Sequence, residues 1–214
     1  MRTTPRSAST VVEQLEERIR SLLPERGKVA LAYSGGLSST LLAMLVRKRC
    51  DLECFTAGVK GSPDVLAAKA ARDHLDFQVE IVDLDAATSV RIAREFRASH
   101  PPFSPATMHA LVPLGAVRER TSGRVLLTGF GTRSLDARFA SALRIWKAQS
   151  PLSEIFPGHT PGRTILRAAA VSLGLPVEWA RIAHRSPAEG AGIERFLQTI
   201  GPSSGRTATS VKFD

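Results

Sequence analysis

Cysteine is scarce in this 214-residue chain: the 2 present, Cys50 and Cys54, stand without histidines at ligand spacing. Two thiols so placed do not make a zinc cage, so both are expected to pack as small apolar residues, with reducing cytoplasm as the default compartment. No apolar run approaches the ~20 residues that cross a bilayer, and no membrane role is expected. The opening, Met1 to Ser9, lacks the apolar core of a secretory signal and reads as a frayed arm. Aromatic residues make up only 6% and no uninterrupted basic run exists. The net charge of +9 therefore favours a generally basic surface over a dedicated nucleic-acid face, leaving RNA as a less favoured partner. There is no internal repeat and no convincing domain boundary.

What is present is alternation. Thr10-Val11-Val12-Glu13 has the form of a capping box, and Val12, Leu15, Ile19, Leu22 and Leu23 fall on one helical face until Pro24. Lys28 to Tyr33 reads as a strand, and a helix follows to about Lys48. Leu52 to Val59 is a second strand, and Ser62-Pro63-Asp64 opens a helix to about Leu75 with proline in its first turn. Phe77 to Leu84 gives a third strand, and Asp85 caps a helix to about Ala98. Ser104-Pro105 starts a helix to Arg120, and Arg124 to Thr128 is a fourth strand ending in Gly129-Phe130-Gly131. Beyond it, Leu135 to Ala148 reads as helix and Gln149 to Gly162 as loop. Thr160-Pro161 opens a helix to about Leu173, Pro176 begins a short one, and Ser186-Pro187-Ala188-Glu189 forms a second capping box. Alternating strands and helices predict an α/β fold with a single doubly wound parallel sheet. Its expected extent is 10–200, between the arm at 1–9 and a small, polar, flexible tail at 201–214.

One junction stands out. The apolar run Val29-Ala30-Leu31-Ala32-Tyr33 leads into Ser34-Gly35-Gly36-Leu37-Ser38-Ser39-Thr40, then into Leu41 to Val46. A buried strand, a glycine turn and a helix opening near Ser38 to Thr40 aim unpaired backbone N–H groups and a helix dipole at one point. That arrangement suits phosphate. Glycine admits the anion and hydroxyls add donors. A plain surface turn is the bland alternative for the same letters. The context of strand, three hydroxyl residues and apolar helix favours nucleotide or phosphate binding. Thr128, Gly129 and Gly131 end another strand, and Ala57 and Gly58 a third, on the edge where open parallel sheets take their ligands.

The loop resembles the Ser-Gly-Gly-x-Asp-Ser-Ser/Thr motif of the PP-loop ATP pyrophosphatases. Further stretches are similar to the synthetase domain of asparagine synthases, especially short archaeal forms. These are Gly58-Val59-Lys60-Gly61-Ser62-Pro63-Asp64 with Ala67-Ala68; Ser104 to Gly115 followed by Val125 to Gly131; and Ile165 to Ala169 with Leu175-Pro176 and Ala188-Glu189-Gly190-Ala191-Gly192. The resemblance covers roughly residues 10 to 200. It implies ATP held at Ser34, Gly35, Gly36, Leu37, Ser38, Ser39 and Thr40. It also implies Ala57 and Gly58 beside the adenine, and Thr128, Gly129, Gly131 and Arg133 around the nucleotide. In the family a substrate carboxylate attacks the α-phosphate, and ammonia displaces AMP from the acyl-adenylate. Mg²⁺ assists there and wants carboxylate oxygens.

Here the sequence departs from the pattern. The loop acid is Ser38, and the acidic pair expected after Gly131 falls on Arg133-Ser134, with Asp136 a few residues on. No metal ligand is assigned, and Mg²⁺ use is open. Arg133 offers a guanidinium that grips phosphate without metal. The expectation is an asparagine-synthase-like nucleotide-binding protein with weakened or lost adenylation. Two alternatives stay open: an active ATP-dependent amide-forming ligase, and a tRNA-linked protein. Asparagine synthases carry a catalytic cysteine after the initiator Met, where this chain has Arg2. Any amidation is therefore expected to draw on free ammonia, a glutaminase or another partner chain. His74 and His100 have no carboxylate partner at a suggestive spacing, His109 is expected to be an exposed or capping histidine, and Trp146 and Trp179 are expected to pack.

Overall fold

The computed structural model describes residues 7–23, 27–99, 105–121, 123–130, 143–144, 146–156, 161–183 and 185–197. Its elements run α1 Ala8–Leu22, β1 Lys28–Ala32, α2 Leu37–Val46, β2 Asp51–Gly58, α3 Pro63–Leu75, β3 Val79–Asp83, α4 Ala86–Ser99, α5 Pro105–Arg120 and β4 Val125–Thr128. They continue with β5 Ala148–Gln149, α6 Pro151–Ile155, α7 Arg163–Ser172, α8 Val177–Ala180, α9 Pro187–Ala191 and α10 Glu194–Leu197. The strands form one parallel sheet in the order β3-β2-β1-β4-β5. The doubly wound α/β expectation is met.

Both faces of the sheet are covered, and the strand sequences show why. A parallel strand buried on two sides needs a nearly continuous apolar run. In β1, Val29 and Leu31 enter one core while Ala30 enters the other. In β2, Leu52 and Cys54 join the first core, and Phe55 and Ala57 the second. α1, α2 and α7 fill the first core, with Val11, Leu15 and Ile19 of α1 fully buried. Each such side chain contributes about 1.5–3 kcal/mol of burial. α4 and α5 fill the second core through Ile92, Ala93, Phe96, Leu111 and Val112.

Several sequence expectations need correction. Residues 7–9, read as arm, begin α1: Ser7 is the N-cap and its hydroxyl accepts from the Thr10 amide at 3.2 Å. The Thr10–Glu13 box is therefore not the cap, because a hydroxyl one turn earlier already holds the free N–H groups. The stretch read as loop from Gln149 contains the end of β5 and all of α6, and Ala148 is strand rather than helix. A strand of 2 residues carries no alternation to detect. By contrast, Ser186 and Glu189 do form the expected capping box, and the Asp85 carboxylate accepts from the Thr88 amide at 2.7 Å. Trp146 packs edge-on to Phe96 with ring centroids 4.8 Å apart, and Trp179 packs beside His74 at 6.2 Å.

Candidate functional site

The order β3-β2-β1-β4-β5 reverses direction between β1 and β4, so the loops leaving those two strands diverge and open a crevice at their carboxyl ends. The glycine loop leaves β1 there, and Gly129 leaves β4. The base of the loop is fixed by Tyr33. Its amide donates to Phe55 O at 2.8 Å, its carbonyl accepts the Thr56 hydroxyl at 2.6 Å, and its phenol lies 3.2 Å from Thr40 Oγ1. The ring meets Phe77 edge-on at 5.8 Å. Burial drives the Tyr33 phenol pKa well up, partly offset by the Thr40 hydrogen bond, so the group stays neutral.

Gly35 adopts φ +69°, and a Cβ there would overlap the Cβ of Ala67 on α3. Only glycine meets both demands, the left-handed backbone and the close approach. Gly36 is the N-cap of α2 with no side-chain cap, so the helix opens at Leu37. The hydroxyls brace the loop from within. Ser39 donates to Gly36 O at 2.9 Å and lies 3.3 Å from Ser34 Oγ, which itself accepts from the Gly36 amide at 3.3 Å. The Thr40 amide closes the first helical turn onto Gly36 O at 3.0 Å. Among the described residues, no acceptor engages the amides of Leu37, Ser38 or Ser39. These are the unpaired donors that a helix start leaves.

Gly129 closes the crevice from the other side. A Cβ on it would stand 2.8 Å from the Ser39 nitrogen, 3.0 Å from the Ser39 Cα and 3.2 Å from the Ser38 carbonyl carbon. The structure thus brings together residues 34–40 and Gly129. Ser34 is exposed and Gly36 and Ser38 are half-buried, forming the accessible lip, whereas Ser39 and Thr40 are buried and committed to the loop itself. Thr128 is buried too, with its hydroxyl turned toward Gln149 O at 3.5 Å. Ala57 and Gly58 end β2 beside the loop. The space a Gly58 side chain would need is taken by Ser62 Oγ, Val65 Cγ2 and the Ala191 carbonyl, at 2.6, 3.0 and 3.3 Å from its Cβ position. That glycine has a packing reason of its own. Gly131, Arg133, Ser134 and Asp136 lie outside the described residues.

Two residues around the loop carry more than the sequence suggested. Tyr33 ends an apolar run and gave no sign of its hydroxyl bridge to α2. Asp64 was legible as a helix-opening acid and as the end of the Gly58-to-Asp64 stretch, with nothing to mark its burial. In the fold it is 8% exposed, and burial pushes its carboxyl pKa up to about 7 despite the attraction of Arg185. The donors lining the loop are amides and hydroxyls. Among the described residues no three of His, Cys, Asp and Glu come together. Amides and hydroxyls of this kind can donate to phosphate oxygen.

Fold and loop together define a doubly wound parallel α/β protein with a glycine loop opening a helix at the sheet's switch point. Comparison with known proteins adds a distant relationship. Residues 27–112, which hold the loop, match a family of unknown function, DUF7411. Over 147 residues the chain is 25% identical to the glutamine-hydrolyzing asparagine synthetase of Gallus gallus, covering 64% of this chain and 26% of that protein. Over 153 residues it is 29% identical to the probable glutamine-hydrolyzing asparagine synthetase of Acanthamoeba polyphaga mimivirus, covering 60% of this chain and 26% of the relative. The chain spans about a quarter of the length of the curated relatives it matches. It is distantly related to asparagine synthetases.

Proposed function

We propose that the crevice between β1 and β4 binds the phosphates of an adenine nucleotide, ATP or AMP. The protein on this reading is asparagine-synthase-like and has weakened or lost the adenylation reaction. One observation carries the reading: the loop keeps its glycine turn and unpaired helix-start amides while Ser38 stands where the resembling family has a carboxylate. Leu37, Ser38 and Ser39 supply amide donors, Gly35 and Gly36 shape the turn, and Ser34 adds a hydroxyl on the open lip. Gly129 lets the β4 edge approach, and Thr128 positions that edge from beneath. Ala57 and Gly58 form the adenine side. Gly131 and Arg133 belong to the same proposed set, with the guanidinium pairing to phosphate. The alternative reading is an active ATP-dependent amide-forming ligase on a carboxylate, with ammonia free or from a glutaminase partner, which the resemblance to asparagine synthases implies.

Calorimetric titration with ATP and with AMP, each with and without Mg²⁺, tests the proposal. Binding is expected with no requirement for metal. Binding only in the presence of Mg²⁺ would mean that acids elsewhere in the chain hold the metal, and would move the active ligase ahead. No binding of either nucleotide would overturn the reading.

A further inference from the structure

The amino-terminal end of α3 lies between two neighbours. Ala67 faces the glycine loop at Gly35, and Asp64, one turn earlier, faces α9 at Gly190. A Cβ on Gly190 would lie 2.5 Å from Asp64 Oδ2 and 2.6 Å from its Cγ, so the helix backbone is pressed directly onto the carboxyl. Asp64 accepts no hydrogen bond among the described residues, although it is 8% exposed. The hydroxyl of its neighbour Ser62 is fully buried without a partner, whereas the Asp64 carboxyl keeps a slight solvent exposure. α9 is tied to the end of β2 by the Val59 amide, which donates to Ala191 O at 2.9 Å. Gly192 then turns the chain at φ +72° against the Ser62 Cβ.

A carboxyl this largely buried, with no hydrogen bond from a described residue, tolerates the neutral form and resists the charged one. The charged groups acting on it come from the α9 segment: Arg185, which favours ionisation, and Glu189, which opposes it. Of the other elements against α3, β2 carries Asp51 and Glu53 toward its opposite end, with Glu53 paired to Lys28 and Arg124. β3 carries Glu80, paired to Arg120, and exposed Asp83. Lys60 in the turn before α3 is exposed.

We propose that the α9 segment is a proton-dependent latch, seated on the end of β2 when Asp64 is neutral and released when it ionises. The seated form holds its proton up to about pH 7, whereas a released Asp64 titrates near the ordinary value of 3.8. Seating is thus fully favoured below the lower value and weakens as pH rises toward the upper one, levelling off beyond it. The latch lies beside the glycine loop but does not depend on what that loop binds.

Hydrogen–deuterium exchange of the full chain, corrected for intrinsic exchange, reads the latch at the Val59 amide. Between pH 6 and pH 8 the opening constant is expected to rise about tenfold. Asp64→Asn should abolish that rise. Glu189→Gln, which keeps a capping-box residue, should shrink it, and Arg185→Gln should enlarge it. Flat protection in the unaltered chain, or an undiminished rise in Asp64→Asn, overturns the proposal. Should Asp64→Asn not fold, the other pair decides: movement in the same direction, or none, overturns it.

Discussion

A methyl group at position 129 would sit 2.8 Å from a backbone nitrogen of α2, a contact no side-chain rotation relieves. Gly129→Ala is therefore expected to shift the start of α2 or the end of β4, costing about 1–3 kcal/mol of stability in urea denaturation. The same substitution should weaken nucleotide binding in calorimetry, because it displaces the proposed donors. Tyr33→Phe is the gentler probe. It keeps the ring against Phe77 and removes only the phenol that meets Thr40 Oγ1. The expected cost is about 0.5–1.5 kcal/mol, with the buried Thr40 hydroxyl left to find another partner. A neutral effect on stability would mean that the loop is braced by its serines alone.

At the level of the element, α1 closes the first core with Val11, Leu15 and Ile19, all fully buried. Leu15→Ala should cost about 2–5 kcal/mol in denaturant titration, far more than any exposed substitution on that helix. The long elements were legible because their burial is periodic: alternate residues of β1 and β2 enter opposite cores, and α1 repeats every three to four residues. The glycine turn was legible for a different reason, since Gly35 has a left-handed backbone that few other residues adopt. The elements that escaped detection, β5, α6 and α10, have 2, 5 and 4 residues, too few for any period to emerge. What the linear chain could not disclose was depth. Ser39 and Thr40 look equivalent to Ser34 and Ser38 as letters, yet packing turns the first two inward. Asp64 looks like an ordinary helix-opening acid until α9, more than a hundred residues later, covers it.

At the scale of the molecule, two kinds of carboxylate pull stability in opposite directions with pH. Glu53 is held below its ordinary pKa, first by the Lys28 hydrogen bond and then by Arg124, so its contribution is lost as the solution becomes acidic. Asp64 is held above its ordinary value by burial, so its contribution fades as pH rises toward about 7. Stability measured by denaturant across pH 3.5 to 8.5 should peak in mild acid. Asp64→Asn should move that peak upward by removing the falling limb. A peak unmoved by this substitution would assign the limb to other groups.

The internal bracing of the glycine loop also bears on time. Ser34, Ser39 and Gly36 already hold one another, so an arriving anion meets a surface that is preorganised and has little ordering left to do. Capture should then be governed by encounter: the observed association rate climbs in proportion to ligand concentration, without the plateau that a slow rearrangement would impose.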